Sequence, residues 1–179
     1  DDARLYVSRS AVYISEGRNA EALAIASAYY NKHNSNFIMG MLTAKALLLN
    51  KSYSRCDSLL ARLHVIPFEG ATDGRELYRE TKLMLAAGEM EKKQYKKALQ
   101  YINASQQWPE QLGVGKPYDE DIDARLENWM LYHCYTRLKR TKEAAAALQK
   151  IPAFTPRIEN TVSNFLPANH LVTAWVIEQ

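Results

Sequence analysis

Tyr95-Lys-Lys-Ala98-Leu-Gln-Tyr-Ile102 carries a pattern that three other segments of the chain share. A short polar turn leads into a small residue, and a small or apolar residue stands four positions after it. The other segments are Asn19-Ala-Glu-Ala22-Leu-Ala-Ile-Ala26, Tyr53-Ser-Arg-Cys56-Asp-Ser-Leu-Leu60 and Thr141-Lys-Glu-Ala144-Ala-Ala-Ala-Leu148. Because a small residue lets one helix approach another closely, and the residue one turn later fills the groove, the pattern predicts a stack of antiparallel helix pairs.

The spacing and the composition both favour a helical repeat. The four small residues are separated by 34, 42 and 46 positions, and a period of about 34 residues is typical of tetratricopeptide (TPR) repeats. Ala and Leu are abundant, whereas 179 residues contain only seven Gly and six Pro. We therefore predict an all-α fold, an α-α superhelix or TPR-like solenoid with about nine or ten helices. The helices are predicted near 3–16, 19–33, 36–50, 52–65, 74–91, 94–107, 121–138, 141–150, 156–165 and 168–179.

The domain prediction follows from the same repeats. We expect a single helical repeat domain over 1–179, and its predicted units lie near 3–33, 36–66, 74–107 and 121–151, with a partial unit at 156–179. The chain starts at Asp1 without an initiator Met and ends in a helix that has no turn after it. We interpret it as a fragment of a longer protein. Its lack of a signal peptide therefore leaves both a periplasmic and a cytoplasmic location open.

Several helix ends carry local signals. Asp73-Gly-Arg-Glu76 has the spacing of a capping box, and Thr155-Pro156 has the order of an N-cap followed by proline. Pro167 is expected to separate the last two helices. Lys139 and Arg140 suit a helix C-terminus, where a cation meets the negative end of the helix dipole.

The charge and the apolar content exclude some classes of protein. Lys and Arg exceed Asp and Glu by 23 to 20, so the net charge is only +3, whereas a nucleic-acid binder is expected to have a strongly basic face. No apolar run reaches the length of a membrane span. Two cysteines are too few for a disulfide scaffold.

The stretch Trp108-Pro-Glu-Gln-Leu-Gly-Val-Gly-Lys-Pro-Tyr-Asp119 resembles a loop in the C-terminal repeat region of DUF5107-type tetratricopeptide proteins. Eleven of its twelve residues agree with that loop, and Gln111 replaces an Asn. Arg125-Leu-Glu127 and Cys134-Tyr135 also match, and the likeness covers about 53–151. The resemblance implies a longer parent with an amino-terminal domain related to galactose mutarotases, and hence a carbohydrate-linked context.

The same loop is the candidate interaction site. Gly113-Val-Gly-Lys-Pro117 suggests a phosphate-binding loop, but its Lys is followed by Pro instead of Ser or Thr and no strand precedes it. We expect Trp108 and Tyr118 to anchor an ordered insertion, which is either packed structurally or binds a partner. The candidate site residues are Trp108, Leu112, Gly113, Gly115, Lys116, Pro117 and Tyr118.

Other polar and reactive residues are interpreted as structural. An acidic cluster is expected to cap the helix predicted to begin at 121, because it lacks the spacing and turn glycine of a calcium loop. The cluster consists of Asp119, Glu120, Asp121 and Asp123. Cys56 occupies a small-residue position and is expected to be buried and inert, and the four histidines show no metal-binding spacing. We predict no catalytic residue, metal or cofactor.

Three functional hypotheses follow. The first is a non-catalytic scaffold that binds a protein partner or another domain of its own chain. The second is an accessory module of a carbohydrate-active protein that packs on a mutarotase-like domain and lends Trp108, Lys116 and Tyr118 to a sugar site. The third is an anion- or RNA-binding face at the basic turns, against which a solvated rim is the simpler interpretation. We also expect the uncovered C-terminal helix to self-associate, because solenoid ends need caps.

Overall fold

A computed structural model describes residues 2–67, 73–155 and 167–178. Within these ranges the chain forms nine α-helices and two 3₁₀ turns, and it contains no strand. The all-α prediction is therefore confirmed for the described residues. The helices are α1 (Ala3–Ser15), α2 (Asn19–Lys32), α3 (Phe37–Leu49), α4 (Tyr53–Leu60), α5 (Asp73–Glu91), α6 (Tyr95–Ser105), α7 (Arg125–Arg137), α8 (Thr141–Ala153) and α9 (Pro167–Ile177).

Most predicted helix bounds agree with these within two residues. Helix α4 ends at Leu60 and not near 65, and α7 begins at Arg125 and not at 121. Helix α9 begins at Pro167. Proline is favoured at the first position of a helix, because an N–H there would have no acceptor within the helix. The helix predicted at 156–165 and the N-cap predicted at Thr155-Pro156 involve residues outside the described ranges.

The same turn joins the two helices of each of the four described pairs, α1–α2, α3–α4, α5–α6 and α7–α8. The residue at its centre has a positive φ of 71° at Gly17, 56° at Lys51, 60° at Lys93 and 59° at Lys139. The next backbone N–H donates to the carbonyl five residues earlier, at 2.8 to 2.9 Å in all four turns. This hydrogen bond and the left-handed residue together form a Schellman motif, which ends the first helix and directs the chain into the second.

Each turn places a small residue at the same point of the second helix. Ala22, Cys56, Ala98 and Ala144 each follow the left-handed residue by five positions and are all buried. In the first three pairs another small, fully buried residue stands twelve positions earlier, on the first helix. These residues are Ser10, Ala44 and Ala86. The repeat predicted from the sequence is therefore present as a repeated helix–turn–helix.

The described chain divides into two compact units. The first runs up to Lys82 and also includes Trp108–Gly115. In this unit α2 packs on α1, α3 packs on both, and α4 packs on α3. Its main core is built around Leu47, Leu60, Leu63, Leu77 and Leu112.

The second unit comprises Leu83–Gln107 and the chain from Lys116 onward. Here α6 packs on α7, α7 on α8, and α9 on both α7 and α8. Its core is built around Leu83, Ala98, Ile102, Met130 and Cys134. The prediction of one repeat domain over 1–179 stays a prediction.

None of the helices in the described ranges is both long enough and apolar enough to cross a membrane.

The turn geometry predicts opposite effects for two lysine-to-glycine changes. Lys93→Gly removes the side chain from a residue with left-handed backbone angles, where a Cβ is unfavourable. It is therefore expected to raise the free energy of unfolding by up to about 1 kcal/mol. Lys97→Gly, two residues into helix α6, is expected to lower it by about 1 kcal/mol. Urea unfolding of both variants measures the difference. Equal losses in the two variants would contradict the left-handed turn.

Candidate functional site

The loop after α6 begins with Trp108–Gly113, which belongs to the first unit and is called the buried base because its last residues, Leu112 and Gly113, are buried. Glu110–Leu112 forms a 3₁₀ turn, and the Gln111 carbonyl accepts a hydrogen bond of 2.8 Å from the Val65 backbone N–H. The Leu112 side chain is 1% exposed and lies in the leucine core of that unit. The base is therefore a part of the core and not a loose insertion.

Two glycines make this close packing possible. A Cβ at Gly74, in the first turn of α5, would stand 2.5 Å from the Leu112 carbonyl oxygen. Gly113 has a φ of 72°, and a Cβ there would stand 3.0 Å from the Val65 carbonyl oxygen. By contrast, a Cβ at Gly115 would have no atom within 4 Å. Close packing of the backbone therefore requires glycine at positions 74 and 113, whereas it does not require glycine at position 115.

Trp108 anchors the start of the base, as the sequence predicted. The Arg75 guanidinium lies over the Trp108 ring at 4.5 Å from its centroid, and Arg75 is itself buried. The Trp108 Nε1 is buried with no acceptor in the part of the chain that the structure describes. The ring is therefore held through its face, by a cation–π contact that gains strength from desolvation.

The following residues, Lys116–Tyr118, form an exposed tip. Tyr118 is 77% exposed, so the expectation that it anchors the loop is wrong. Pro117 is half-buried. The Lys116 Nζ lies 2.6 Å from an Asp119 carboxylate oxygen, but an ion pair this exposed contributes little to stability. The tip thus offers an aromatic ring and a cation to solvent.

The acidic cluster does not cap α7 in the way that the sequence predicted. Asp119–Asp121 form a 3₁₀ turn of their own, and α7 begins only at Arg125. Asp123 accepts the backbone N–H of Arg125 at 3.1 Å and two guanidinium hydrogen bonds at 2.9 and 2.7 Å. The helix start is set by this bidentate pair, which the acidic cluster in the sequence does not reveal.

The Asp123–Arg125 pair is buried, with both side chains 4% exposed. Arg125 also donates to the Thr173 hydroxyl of α9 at 3.0 Å and lies over the Phe154 ring at 5.2 Å. Burial alone would raise the pKa of Asp123, but the hydrogen bonds from Arg125 outweigh it and hold that pKa below its usual value. The carboxylate is therefore charged at neutral pH and structural.

A cleft of about 250 Å³ opens beside this ion pair in the second unit. Arg125, Asn128, Lys150 and Phe154 contribute to its wall. The charge of Arg125 is already matched by Asp123, so the remaining cation is the exposed Lys150. This cleft has no signature in the sequence, because its residues come from two helices and the segment before α7.

The thiols and one histidine take part in packing. The Cys56 Sγ lies 3.2 Å from both the Ala44 carbonyl oxygen and the Thr81 hydroxyl. Burial raises the pKa of Cys56, and it raises that of Cys134 to about 11. Burial, with a smaller effect of Arg137, lowers the pKa of His133, whose ring packs edge-on against Trp129 at 4.2 Å. At neutral pH both thiols are protonated and His133 is neutral.

The basic residues at the turns are all exposed, and several already have structural roles. They are Lys92, Lys93, Lys96, Lys97, Arg137, Lys139, Arg140 and Lys142. Lys92 pairs with Glu89 and Arg140 with Glu143, while Lys93 and Lys139 hold the left-handed turns. The anion- or RNA-binding hypothesis stays a prediction.

Comparison with known proteins adds no assignment. No family model matches the chain, and neither does a curated protein or a solved structure. Among the described residues, no group of three or more His, Cys, Asp or Glu side chains is arranged to hold a metal ion.

The two loop glycines provide a matched test of the base. Gly113→Ala forces a side chain into the left-handed region and against Val65, so it is expected to lower the free energy of unfolding by about 1–3 kcal/mol. Gly115→Ala meets open space and is expected to change it by less than about 0.5 kcal/mol. Urea unfolding measures both. A tolerated Gly113→Ala would show that the base does not pack as described.

The buried ion pair predicts a pH-dependent stability. Asp123→Asn leaves Arg125 buried without its charge partner and is expected to cost about 3–5 kcal/mol at neutral pH. Because the folded pKa of Asp123 lies below the reference value of 3.8, its contribution is present above that value and is lost as the pH falls through the folded pKa. The difference in the free energy of unfolding between wild type and Asp123→Asn, measured by chemical denaturation, should therefore become smaller as the pH is lowered.

The exposed carboxylate of Asp119 serves as the control for this measurement. Asp119→Asn removes only the solvent-exposed pair with Lys116 and should cost less than about 1 kcal/mol. If Asp123→Asn is as mild as this control, the buried pair does not stabilise the start of α7.

Proposed function

We propose that this chain is a non-catalytic helical-repeat scaffold that mediates contact with a protein partner or with another domain of its own chain. The observation that carries the proposal is the fourfold recurrence of one left-handed turn followed by a buried small residue. Helical repeats of other proteins that stack on one another present extended surfaces for binding. A TPR-like superhelix and membership of the DUF5107-type proteins are part of the same proposal.

The packing of the reactive side chains supports a non-catalytic role. Cys56 and Cys134 occupy core positions with thiol pKa values raised by burial. A thiol of this kind is a poor nucleophile, because the thiolate is the reactive form. Asp123, a buried carboxylate with a lowered pKa in the second unit, is held in a bidentate pair with Arg125. These groups stabilise the helices that carry them.

The exposed tip supports a binding role. Tyr118 is the most exposed of the large apolar side chains that the structure describes, and it follows the buried base by only a few residues. An exposed tyrosine makes contact area available at a low cost in conformational entropy, which is typical of interface anchors. We assign the tip Lys116–Tyr118 as the first contact surface of the scaffold.

One observation favours the alternative of an accessory module near a carbohydrate site. The tip combines an exposed aromatic ring with a cation, and an aromatic face packs well against the apolar face of a sugar. Trp108 does not contribute in this alternative, because Arg75 covers its ring. Lys116 and Tyr118 remain as the sugar-contacting residues.

Site-specific photo-crosslinking tests the scaffold proposal. A benzophenone amino acid is placed at position 118 in the full-length protein, in cells that normally produce it, and Lys142 on α8, also exposed, is replaced in a control. We expect one discrete crosslinked protein or intramolecular product from position 118 that is missing from position 142. Equal, diffuse crosslinking from both positions would contradict a contact surface at the tip.

Affinity electrophoresis through polysaccharide gels separates the alternative. Retardation of the protein that is lost in Tyr118→Ala, together with no protein crosslink, would favour the carbohydrate module over the scaffold.

A further inference from the structure

Helix α9 packs on the last described helix pair, α7 and α8, as α3 packs on the first pair, α1 and α2. Helix α3 contacts both α1 and α2, and α9 contacts both α7 and α8. In the first unit, the second helix of the next pair, α4, packs on α3. The contacts of α9 are therefore those of the first helix of a pair. In the first unit such a helix, α3, is covered by the second helix of its pair, α4.

The two helices also share a register. Thr43 donates its hydroxyl to the Met39 carbonyl at 2.7 Å, and Thr173 donates to the Asn169 carbonyl at 3.0 Å. Met39 and Asn169 are both fully buried, each at the third position of its helix. Counting from the helix starts, Ala174 then corresponds to Ala44.

The corresponding faces differ in what covers them. In α3, Ala44 is fully buried and Leu47 nearly so, because α4 lies against them and the Cys56 Sγ reaches the Ala44 carbonyl at 3.2 Å. In α9, Ala174 is exposed and Ile177, which corresponds to Leu47, is 71% exposed.

Leu171 extends this uncovered face. It corresponds to Met41, which is partly buried against the core of the first unit, whereas Leu171 is 71% exposed. The stretch Pro167–Ile177 contains no Asp, Glu, Lys or Arg, so it lacks the charged side chains that the solvent-facing side of a surface helix normally carries. Leu171, Ala174 and Ile177, which are neighbours on one face of α9, are thus apolar like core residues but exposed to solvent.

We infer that Leu171, Ala174 and Ile177 form a docking surface for an amphipathic helix of the same design as the second helices of this chain. Such a helix carries a small residue opposite Ala174 and a larger apolar residue one turn later, as Cys56 and Leu60 do on α4. Ala174 leaves room for the two backbones to approach closely. The inference rests on the proposed scaffold function and specifies the chemistry of one partner.

A constrained peptide serves as the probe. It has the sequence of residues 94–107, which contains α6, with a lactam bridge between Lys96 and a glutamate introduced by Gln100→Glu. Both positions are exposed in α6, so the bridge leaves the apolar face free. The bridge is needed because a peptide of this length is only marginally helical in water. Fluorescence anisotropy with the intact protein measures its binding.

We expect saturable binding that Ala174→Glu weakens by about tenfold or more. Leu5→Glu, the same type of change at an exposed leucine of α1, should leave binding unchanged. A peptide with Ala98→Phe should also fail to bind, because its small residue is lost. Ile177→Glu provides a second blocking variant, and circular dichroism shows whether each variant is folded.

Three outcomes would overturn the inference. The first is binding that Ala174→Glu and Ile177→Glu leave unchanged. The second is no binding by a protein that light scattering shows to be monomeric at all concentrations. The third is a dimer that Ala174→Glu dissociates, which would assign this face to a second copy of the chain and so favour the self-association expected from the sequence over a partner helix. Crosslinking from position 118 is independent of α9, so failure here is distinguishable from failure of the scaffold function.

Discussion

The close approach of two helices at a small buried residue is the constraint on which this structure depends. Ala22, Cys56, Ala98 and Ala144 stand at this point of their pairs, and each is placed there by a left-handed turn five residues earlier. A larger side chain would separate the helices and open voids along the pair, and interiors tolerate such voids poorly. The left-handed turn therefore positions the small residue, and the small residue allows the two helices to approach closely.

The sequence predicted the helix pairs because both of their signals are local. A small residue after a polar turn is visible in a single sequence, and all four such residues are buried. It did not predict that lysines would hold three of the four left-handed positions, because glycine is the usual residue there. The acidic run resembles a helix cap and so predicts a start of α7 at 121, whereas the Asp123–Arg125 pair sets the start at Arg125.

The candidate site was only partly predictable. Trp108 and Leu112 pack as large apolar residues usually do, but Tyr118, just beyond them, is exposed. Nothing in the composition of the loop separates its buried base from its exposed tip, because the difference depends on Gly74 and Val65, far away in sequence. The cleft beside Arg125 and the uncovered face of α9 likewise depend on contacts between distant segments.

The loop base has a consequence for the order in which the protein is made. Leu112 completes a core whose other members lie before Lys82. A simple stack of repeats can form pair by pair as it leaves the ribosome, because each pair contacts only its neighbours. Here the core shared by α3, α4 and the start of α5 is completed only by a residue synthesised after α6. The nascent chain consequently exposes an incomplete leucine core during that interval, when chaperones and proteases have access to it.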